Sequence, residues 1–240
     1  MPTHELSTGQ IPDPEAFLLT GEIDVEGRMP WSSNATFLVT VRADGAEQRA
    51  IYKPVRGERS LWDFEPGLHR RELAAYRLSE ILGIDVVPPT VVRDGPFGEG
   101  SLQWFVDADH SEHYFTIYEQ HPDLHDQLRA IAVLDLIANN TDRKSGHCLL
   151  AGDRVWAIDN GLCFSAPFKL RTVIWEFAGE PIPPRLVAAA ERLAASVPLE
   201  LAALLSDDET EALRHRALQV VARPCFPQDL TGHRYPWPLI

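Results

Sequence analysis

Residues 140–162 read NTDRKSGHCLLAGDRVWAIDNGL and place one aspartate on each side of a predicted β-hairpin. The two strands, Cys148–Leu150 and Val155–Ile158, are short and apolar, and the Ala-Gly-Asp-Arg segment between them indicates a turn. Asp142 precedes the hairpin, and Asp159 follows it directly with a glycine two residues later. The segment therefore predicts two carboxylates that flank one hairpin.

Such a pair of carboxylates is compatible with phosphoryl-transfer chemistry. One carboxylate would orient or deprotonate an acceptor hydroxyl, and the other would hold the metal ion that bridges the phosphates. A second interpretation of the same residues stays open, because Asp-Asn-Gly is a common turn sequence. The Thr-Asp-Arg segment is also compatible with an ion pair at the end of the helix predicted over Leu124–Asn139.

The chain around this segment changes from strand-rich to helix-rich near residue 107. The upstream elements are predicted from β-branched alternation, helical periodicity and prolines. They are the strands Phe37–Val41 and Ala50–Lys53 with the turn Arg42–Gly45, the helix Leu68–Leu82, the extended segment Val86–Val92 and the strand Leu102–Val106. Two further helices are predicted downstream, near 184–196 and 207–222. Strands followed by helices predict an α+β fold rather than alternating βαβ units.

A lysine and a glutamate in the strand-rich half strengthen the phosphoryl-transfer interpretation. Lys53 ends an apolar strand, and Glu72 lies on the helix that follows, nineteen residues later. Each residue taken alone is compatible with an ordinary exposed charge. Together they match the requirement of a kinase, in which a strand lysine contacts the α- and β-phosphates and a helix glutamate orients it.

Composition and missing motifs narrow the function further. The chain has 240 residues and a net charge of −13, which does not favour binding to nucleic acid or to an anionic membrane surface. We found no P-loop, no G-x-G-x-x-G, no G-x-S-x-G and no H-E-x-x-H motif. The first ten residues are polar and carry no signal-like apolar stretch, so a cytoplasmic location is expected.

Short segments of the chain resemble, in order, the phosphatidylinositol 3-/4-kinase superfamily. The resemblance is strongest to its type II 4-kinase branch and to short actinobacterial kinase-like proteins. It covers roughly residues 20–165. The matching segments are Trp31–Phe37 to the phosphate loop, Tyr52-Lys53-Pro54 to Phe-Lys-Pro, Glu72–Tyr76 to Glu-x-x-Ala-Tyr, Gly100–Val106 to the hinge strand, and Asn140–Arg143 with Ala157–Leu162 to the catalytic and metal-binding segments.

The resemblance implies a role for each matching position. Ser33, Asn34 and nearby backbone N–H groups would cover the β- and γ-phosphates, and Lys53, oriented by Glu72, would contact the phosphates. Asp142 would be the catalytic aspartate, and Asp159 would bind Mg²⁺. The implied adenine site is the backbone of the hinge, with an aromatic side chain packed nearby; its residues are Gln103, Trp104, Phe105 and Val106.

One position departs from the family pattern. Kinases of this type carry an asparagine five residues after the catalytic aspartate to hold a second metal, and here that residue is His147. Neutral imidazole binds divalent metals but prefers softer ions than Mg²⁺. Three consequences stay open: a shift of metal preference toward Mn²⁺, loss of catalysis in a pseudokinase, or a role for His147 toward the acceptor.

These observations predict a two-lobed protein-kinase-like fold with a flexible tail over residues 1–14, an N-lobe over 15–106 and a C-lobe over 107–240. The expected function is an ATP- and Mg²⁺- or Mn²⁺-dependent phosphotransferase. Its acceptor is expected to be a soluble small molecule or a protein hydroxyl, without stable membrane insertion. The alternatives are a nucleotide-binding pseudokinase with a protein partner, an AMP transferase, and a toxin-type kinase that resembles HipA.

Overall fold

The protein divides into two compact units. The first extends up to Leu73 and resumes over Pro88–Phe105, and the second comprises Ala74–Val87 and the chain from Val106 onward. Residues 74–87, which the sequence had placed in the N-lobe, therefore group with the second unit. The computed structural model describes residues 11–30, 34–59, 61, 64 and 66–239.

The first unit is built on a five-stranded antiparallel sheet in the order β1-β2-β3-β5-β4. Its elements are α1 (Pro14–Thr20), β1 (Glu22–Arg28), β2 (Phe37–Ala43), β3 (Ala46–Pro54), the start of α2 (Leu68–Ile81), β4 (Thr90–Gly95) and β5 (Gly98–Trp104). The turn predicted between β2 and β3 is a two-residue hairpin, since Asp44 and Gly45 both have positive φ.

One face of this sheet forms an apolar core against α1. Its buried members are Phe17, Leu18, Val39, Val41, Ala50, Tyr52, Val91 and Leu102. Neither α1 nor β1 was predicted. Asp13 caps α1 by accepting a hydrogen bond from the N–H of Ala16 at 3.0 Å. The predicted tail over residues 1–14 lies mostly outside the described residues, and its last residue, Pro14, is the first residue of α1.

The second unit is mainly helical. Its elements are α3 (Tyr114–Gln120), α4 (His125–Ala138), β6 (Cys148–Ala151), β7 (Arg154–Ala157), α5 (Pro184–Ala195), α6 (Leu199–Ala202) and α7 (Asp207–Ala222). Strands β6 and β7 form the predicted hairpin. The helix α4 is buried along most of its length, and a capping box of Ser206 and Glu209 starts α7.

The strand-rich first part and the helical second part confirm the predicted α+β class. Over the described stretches of the chain, no helix combines the length and the apolarity needed to cross a bilayer.

Candidate active site

Lys53 and Glu72 form an ion pair in the first unit. Strand alternation turns Ala50 and Tyr52 of β3 toward the apolar core and therefore turns Lys53 to the opposite face of the sheet. The Glu72 side chain is 4% exposed and that of Lys53 is 22% exposed. Burial of this carboxylate favours keeping the lysine beside it, because an unpaired buried charge is costly. The lysine and glutamate of the sequence prediction are thus brought together.

The backbone beside Lys53 is fixed by a close approach of two strands. Gly100 of β5 pairs with Pro54 of β3, and a Cβ atom at position 100 would lie 2.4 Å from the carbonyl oxygen of Lys53. Only glycine leaves room for this contact. Gly100, in the predicted hinge strand, therefore allows β5 to approach the backbone of Lys53 closely and helps to fix its position.

The predicted hinge residues point to different faces of the sheet. Gln103 lies on the same face as Lys53, and its amide donates to the Thr90 hydroxyl at 2.9 Å. Trp104 lies on the other face, where its indole packs edge-on against Phe17 at a centroid distance of 6.3 Å. Strand alternation thus revises the expected adenine contact of the Trp104 side chain, since this side chain belongs to the core around α1.

Two backbone N–H groups of the predicted hinge already donate hydrogen bonds within the first unit. The N–H of Trp104 donates to Pro89 at 2.8 Å, and the N–H of Phe105 donates to Arg49 at 3.1 Å. The Phe105 ring lies under the Arg49 guanidinium at 4.3 Å. An adenine contact from either N–H would require breaking a sheet hydrogen bond. The carbonyl of Val106, in the second unit, accepts from the N–H of Ala108 at 3.0 Å.

The predicted phosphate loop is only partly described. Ser33 lies outside the described residues. The side-chain oxygen of Asn34 accepts a hydrogen bond from the N–H of Arg59 at 3.0 Å, and the N–H of Ala35 donates to Gly57 at 3.1 Å. These bonds join the loop to the turn that follows β3, so a phosphate contact from the Asn34 side chain stays a prediction.

In the second unit, Asp142 lies on a loop that neighbouring segments hold in place. The N–H of Asp142 itself donates to the side chain of Asn140 at 2.9 Å. The N–H of Thr141 donates to Leu162 at 3.0 Å, and that of Ile158 donates to His147 at 3.0 Å. The loop that carries Asp142 is therefore bonded to the segments on both sides of Asp159.

Burial and a nearby lysine have opposite effects on the pKa of the Asp142 carboxylate. Burial raises its pKa, the ammonium of Lys144 at 3.3 Å lowers it, and the charge of Asp159 raises it; the pKa remains above the ordinary aspartate value. A raised pKa makes the carboxylate a better proton acceptor. The pairing of Lys144 with Asp142 was not predicted from the sequence.

His147 and Asp159 are close neighbours. Nε2 of His147 lies 3.4 Å from Oδ2 of Asp159, whose side chain is 52% exposed. Asp159 has a φ of 58°, a left-handed conformation that aspartate adopts more readily than most residues. The structure thus brings together the two residues that the sequence assigned to metal binding.

The donor atoms of this pair fit a divalent metal. Of the two backbone contacts at Nδ1 of His147, the shorter is to the carbonyl oxygen of Asp142 at 2.9 Å, while the N–H of Lys144 lies at 3.4 Å. A carbonyl only accepts, so Nδ1 would donate to it, and Nε2 of a neutral ring would then carry the lone pair that binds a metal beside Asp159. Across the described residues, no three His, Cys, Asp or Glu side chains are grouped to bind a metal. Phosphate oxygens and water would complete the coordination sphere.

A buried ion pair lies beneath both loops. Arg143 is fully buried, and its guanidinium bonds Asp135 of α4 at 2.9 Å. The same guanidinium donates to the carbonyl of Ile158 at 2.7 Å and to the side chain of Asn160 at 2.6 Å. Arg143 and Asn160 adjoin Asp142 and Asp159 in the chain. The helix-end interpretation is therefore correct for Arg143, while Asp142 is left for other contacts.

The sequence contained one sign of this network. Asp135 is a carboxylate within the otherwise apolar run of α4, and a buried carboxylate requires a partner. Asp135 also accepts from Asn140 at 2.9 Å and from Thr172 at 3.3 Å, so it joins three segments of the second unit. Periodicity alone did not identify its partners.

The Pro- and Trp-rich C-terminal segment contacts these loops through its main chain. The N–H of Ser145 donates to the carbonyl of Leu239 at 2.9 Å, and that of Thr172 donates to the carbonyl of Arg234 at 3.0 Å. The Trp237 side chain, in contrast, is 89% exposed. The segment therefore touches the loop that carries Asp142 by backbone groups.

Comparison with solved structures identifies a kinase-like fold. The Golgi casein kinase with Mn/ADP bound matches with a TM-score of 0.57 and 15% identity, over 94% of this chain and 79% of that one. The Golgi casein kinase in a further crystal structure matches with a TM-score of 0.56 and 16% identity, over 92% and 76%. Hydra Fam20 with sugar matches with a TM-score of 0.58 and 14% identity, over 87% of each chain. The predicted kinase-like fold is confirmed, and the finer phosphatidylinositol-kinase resemblance stays a prediction.

Comparison with known sequences gives a closer relationship. No family model matches the chain. The protein Rv2133c of Mycobacterium tuberculosis is 38% identical over 265 aligned positions, which cover 94% of this chain and 95% of that protein. Identity at this level over nearly the full length of both chains shows common ancestry. The chain therefore belongs to the same family as Mycobacterium tuberculosis Rv2133c.

Proposed function

We propose that this protein is an ATP- and divalent-metal-dependent phosphotransferase of the phosphatidylinositol-kinase-like type. The observation that carries the proposal is the ion pair between Lys53 and buried Glu72, because a kinase-like fold needs this pair to hold phosphate. In the second unit, His147 and Asp159 lie close to each other and would supply the metal ligands that such a reaction requires. The binding of Mn/ADP by a structure of similar fold is compatible with these assignments.

The residues divide the chemistry between them. Lys53 would contact the phosphates as a fixed cation, and Glu72 would keep its ammonium in place. Asp142 would orient the acceptor hydroxyl and accept its proton while the oxygen bonds to the γ-phosphorus and ADP leaves. The raised pKa of Asp142 helps it to accept this proton, and Lys144 stabilises its charge before transfer. Asp159 and His147 would hold the metal, which supplies positive charge to the phosphates when bound.

The acceptor is proposed to be a soluble small molecule or a protein hydroxyl rather than a membrane lipid. The net charge of −13 opposes attraction to an anionic membrane surface. Lys169 and Arg171, on the segment after Asp159, offer local positive charge that would suit a phosphorylated or carboxylated acceptor. The N–H of Lys169 donates to the side chain of Asn139 at 2.9 Å, which fixes the backbone of this segment.

Nucleotide binding through Lys53 tests the proposal directly. We expect ATP with Mn²⁺ to raise the Tm of the wild-type protein, and we expect Lys53→Met to remove the shift because the phosphates lose their fixed cation. The rate of transfer from γ-labelled ATP should fall by about 100-fold or more. The measurements are thermal unfolding with and without nucleotide and label transfer to water or protein.

The control is Arg70→Met, which removes an exposed cation from the same helix that carries Glu72. It should keep both the ATP-dependent Tm shift and the transfer rate. An unchanged ATP response in Lys53→Met would contradict the proposed role of Lys53. Transfer of label from α-labelled rather than γ-labelled ATP would instead identify an AMP transferase.

His147 favours one second candidate, a nucleotide-binding pseudokinase that regulates a protein partner. Imidazole at position 147 is a poor ligand for Mg²⁺, and a metal site weakened in this way would bind ATP without transferring phosphate. This candidate predicts an ATP-dependent Tm shift but no γ-phosphate transfer with either metal. Detectable transfer by the wild-type protein excludes it.

Metal preference should follow the residue at position 147. We expect His147→Asn to raise the ratio of the Mg²⁺-supported rate to the Mn²⁺-supported rate by about tenfold, because an amide oxygen is a harder ligand than imidazole. Transfer rates measured across a titration of each metal give this ratio. His110→Asn, which changes an exposed histidine of the same unit, is the control and should leave the ratio unchanged. An unchanged ratio in His147→Asn would place His147 outside the metal site.

A further inference from the structure

A buried histidine in the first unit has no part in the chemistry described above. His69 is 5% exposed, and both of its ring nitrogens face carboxylates. Nδ1 lies 3.2 Å from Glu58, and Nε2 lies 3.0 Å from Glu99. A protonated ring would donate one hydrogen bond to each carboxylate. The His69 side chain thus links Glu58 and Glu99, which are distant from each other in sequence.

Glu58 connects this histidine to the start of α2. Its carboxylate accepts from the N–H of Gly67 at 3.0 Å and from the N–H of His69 at 3.1 Å, in addition to the ring contact. Burial alone would raise the pKa of Glu58, but the hydrogen bonds from the His69 ring and from the two N–H groups lower it to about 2. Glu58 is therefore ionised at any ordinary pH and remains available to hold the helix.

The network joins α2, which carries Glu72, to the turn that follows β3 and to β5, the strand that pairs with β3. Glu58 follows Lys53 by five residues, just beyond the end of β3. His69 precedes Glu72 by three residues on α2, so the two side chains lie on the same side of the helix. Contacts that hold His69 in place would therefore restrict the rotation of α2 about its axis, on which the direction of Glu72 depends.

We propose that Glu58, His69 and Glu99 form a positioning network that holds α2 at the rotation where Glu72 meets Lys53. The proposal rests on the proposed function, because it assigns the network an effect on ATP use through that pair. His69 is a positioning residue, since it acts through Glu72 and not on the nucleotide. A purely structural role would stabilise the first turn of α2 without affecting Lys53.

The chemical reactivity of Lys53 tests this proposal without any assay of ATP turnover. An amine that is held in an ion pair reacts slowly with an acylating reagent, and its labelling can be followed by mass spectrometry. We expect His69→Phe to raise the acylation rate of Lys53 by about tenfold, the scale on which supporting contacts act. Lys169, a partly buried loop residue of the second unit, is the internal control and should react at an unchanged rate.

A double-mutant cycle separates positioning from simple stability. In a Glu72→Gln background, where the ion pair is already lost, His69→Phe should add no further acceleration at Lys53. Additive effects would overturn the proposal, as would an unchanged rate in the single variant. His69→Gln, whose amide can still donate to Glu58, should remain within about twofold of the wild-type rate.

Two further measurements complete the test. If His69→Phe does not fold, Glu99→Ala replaces it, because it removes the acceptor from a side chain that is 51% exposed. This variant should raise Lys53 acylation by about twofold to fivefold, and an unchanged rate would overturn the network. In the ATP assay, His69→Phe should raise the KM for ATP more than it lowers kcat. The two proposals can fail separately. If the wild-type protein transfers no phosphate but His69→Phe still accelerates acylation of Lys53, the network is supported and the phosphotransferase function is rejected.

Discussion

We expect Asp142→Asn to lower the rate of γ-phosphate transfer by about 10²–10⁴-fold, the range that a positioned general base contributes. The asparagine keeps the size of the side chain and its backbone contacts but cannot accept the proton of the acceptor hydroxyl. The ATP-dependent Tm shift should survive, because Lys53, Asp159 and His147 are unchanged. Single-turnover label transfer with saturating ATP and metal measures this loss separately from binding.

The matched control is Asp153→Asn, which removes a carboxylate from the exposed turn between β6 and β7. Transfer by this variant should stay within about twofold of the wild-type rate, as expected for an exposed substitution away from the site. Equal losses in the two variants would point to a general effect of charge. Full activity of Asp142→Asn would reject Asp142 as the proton acceptor.

The largest loss of stability is expected from Asp135→Ala. The substitution leaves the fully buried Arg143 guanidinium without its carboxylate, and breaking a buried pair from one side costs about 3–5 kcal/mol. Asn140 and Thr172 lose their acceptor at the same time. Urea-induced unfolding, followed by fluorescence and circular dichroism, measures the change in the free energy of unfolding.

Two further variants show whether this loss arises from the buried charge. Asp135→Asn retains one acceptor oxygen, so its loss should lie between that of Asp135→Ala and the wild type. Asp126→Ala removes a carboxylate from the first turn of the same helix, where the side chain is 75% exposed and pairs with Arg129, and should cost less than about 1 kcal/mol. If Asp126→Ala and Asp135→Ala lower the free energy of unfolding by comparable amounts, burial of the Asp135–Arg143 pair is not the cause of the loss.

Local patterns were sufficient to predict most regular elements. The apolar alternation of β3, the periodicity of α4 and the Asp-Gly turn after β2 are properties of adjacent residues, and each element lies within a few residues of its predicted bounds. The pairing of Lys53 with Glu72 was predicted because the known requirements of a kinase site, together with the family resemblance, supplied the long-range relationship. The proximity of His147 to Asp159 was expected for the same reason.

The remaining features depend on contacts that no local pattern contains. The face on which Trp104 lies is set by the register of β5 against β3 and by α1, which was not predicted. The partners of Asp135 and His69 come from segments distant in sequence. A charged residue in an apolar run indicates that it needs a partner, but only the folded structure shows which residue the partner is.

The contacts made by the C-terminal segment imply an unusual pattern of mutational tolerance. Arg234 and Leu239 reach Thr172 and Ser145 through carbonyl oxygens, which every amino acid, including proline, provides. Most single substitutions over residues 234–239 should therefore leave these two hydrogen bonds in place. Inserting or deleting one residue between them would move one carbonyl out of reach of its donor. For these two hydrogen bonds, the length of the chain between Arg234 and Leu239 matters more than the identity of the side chains.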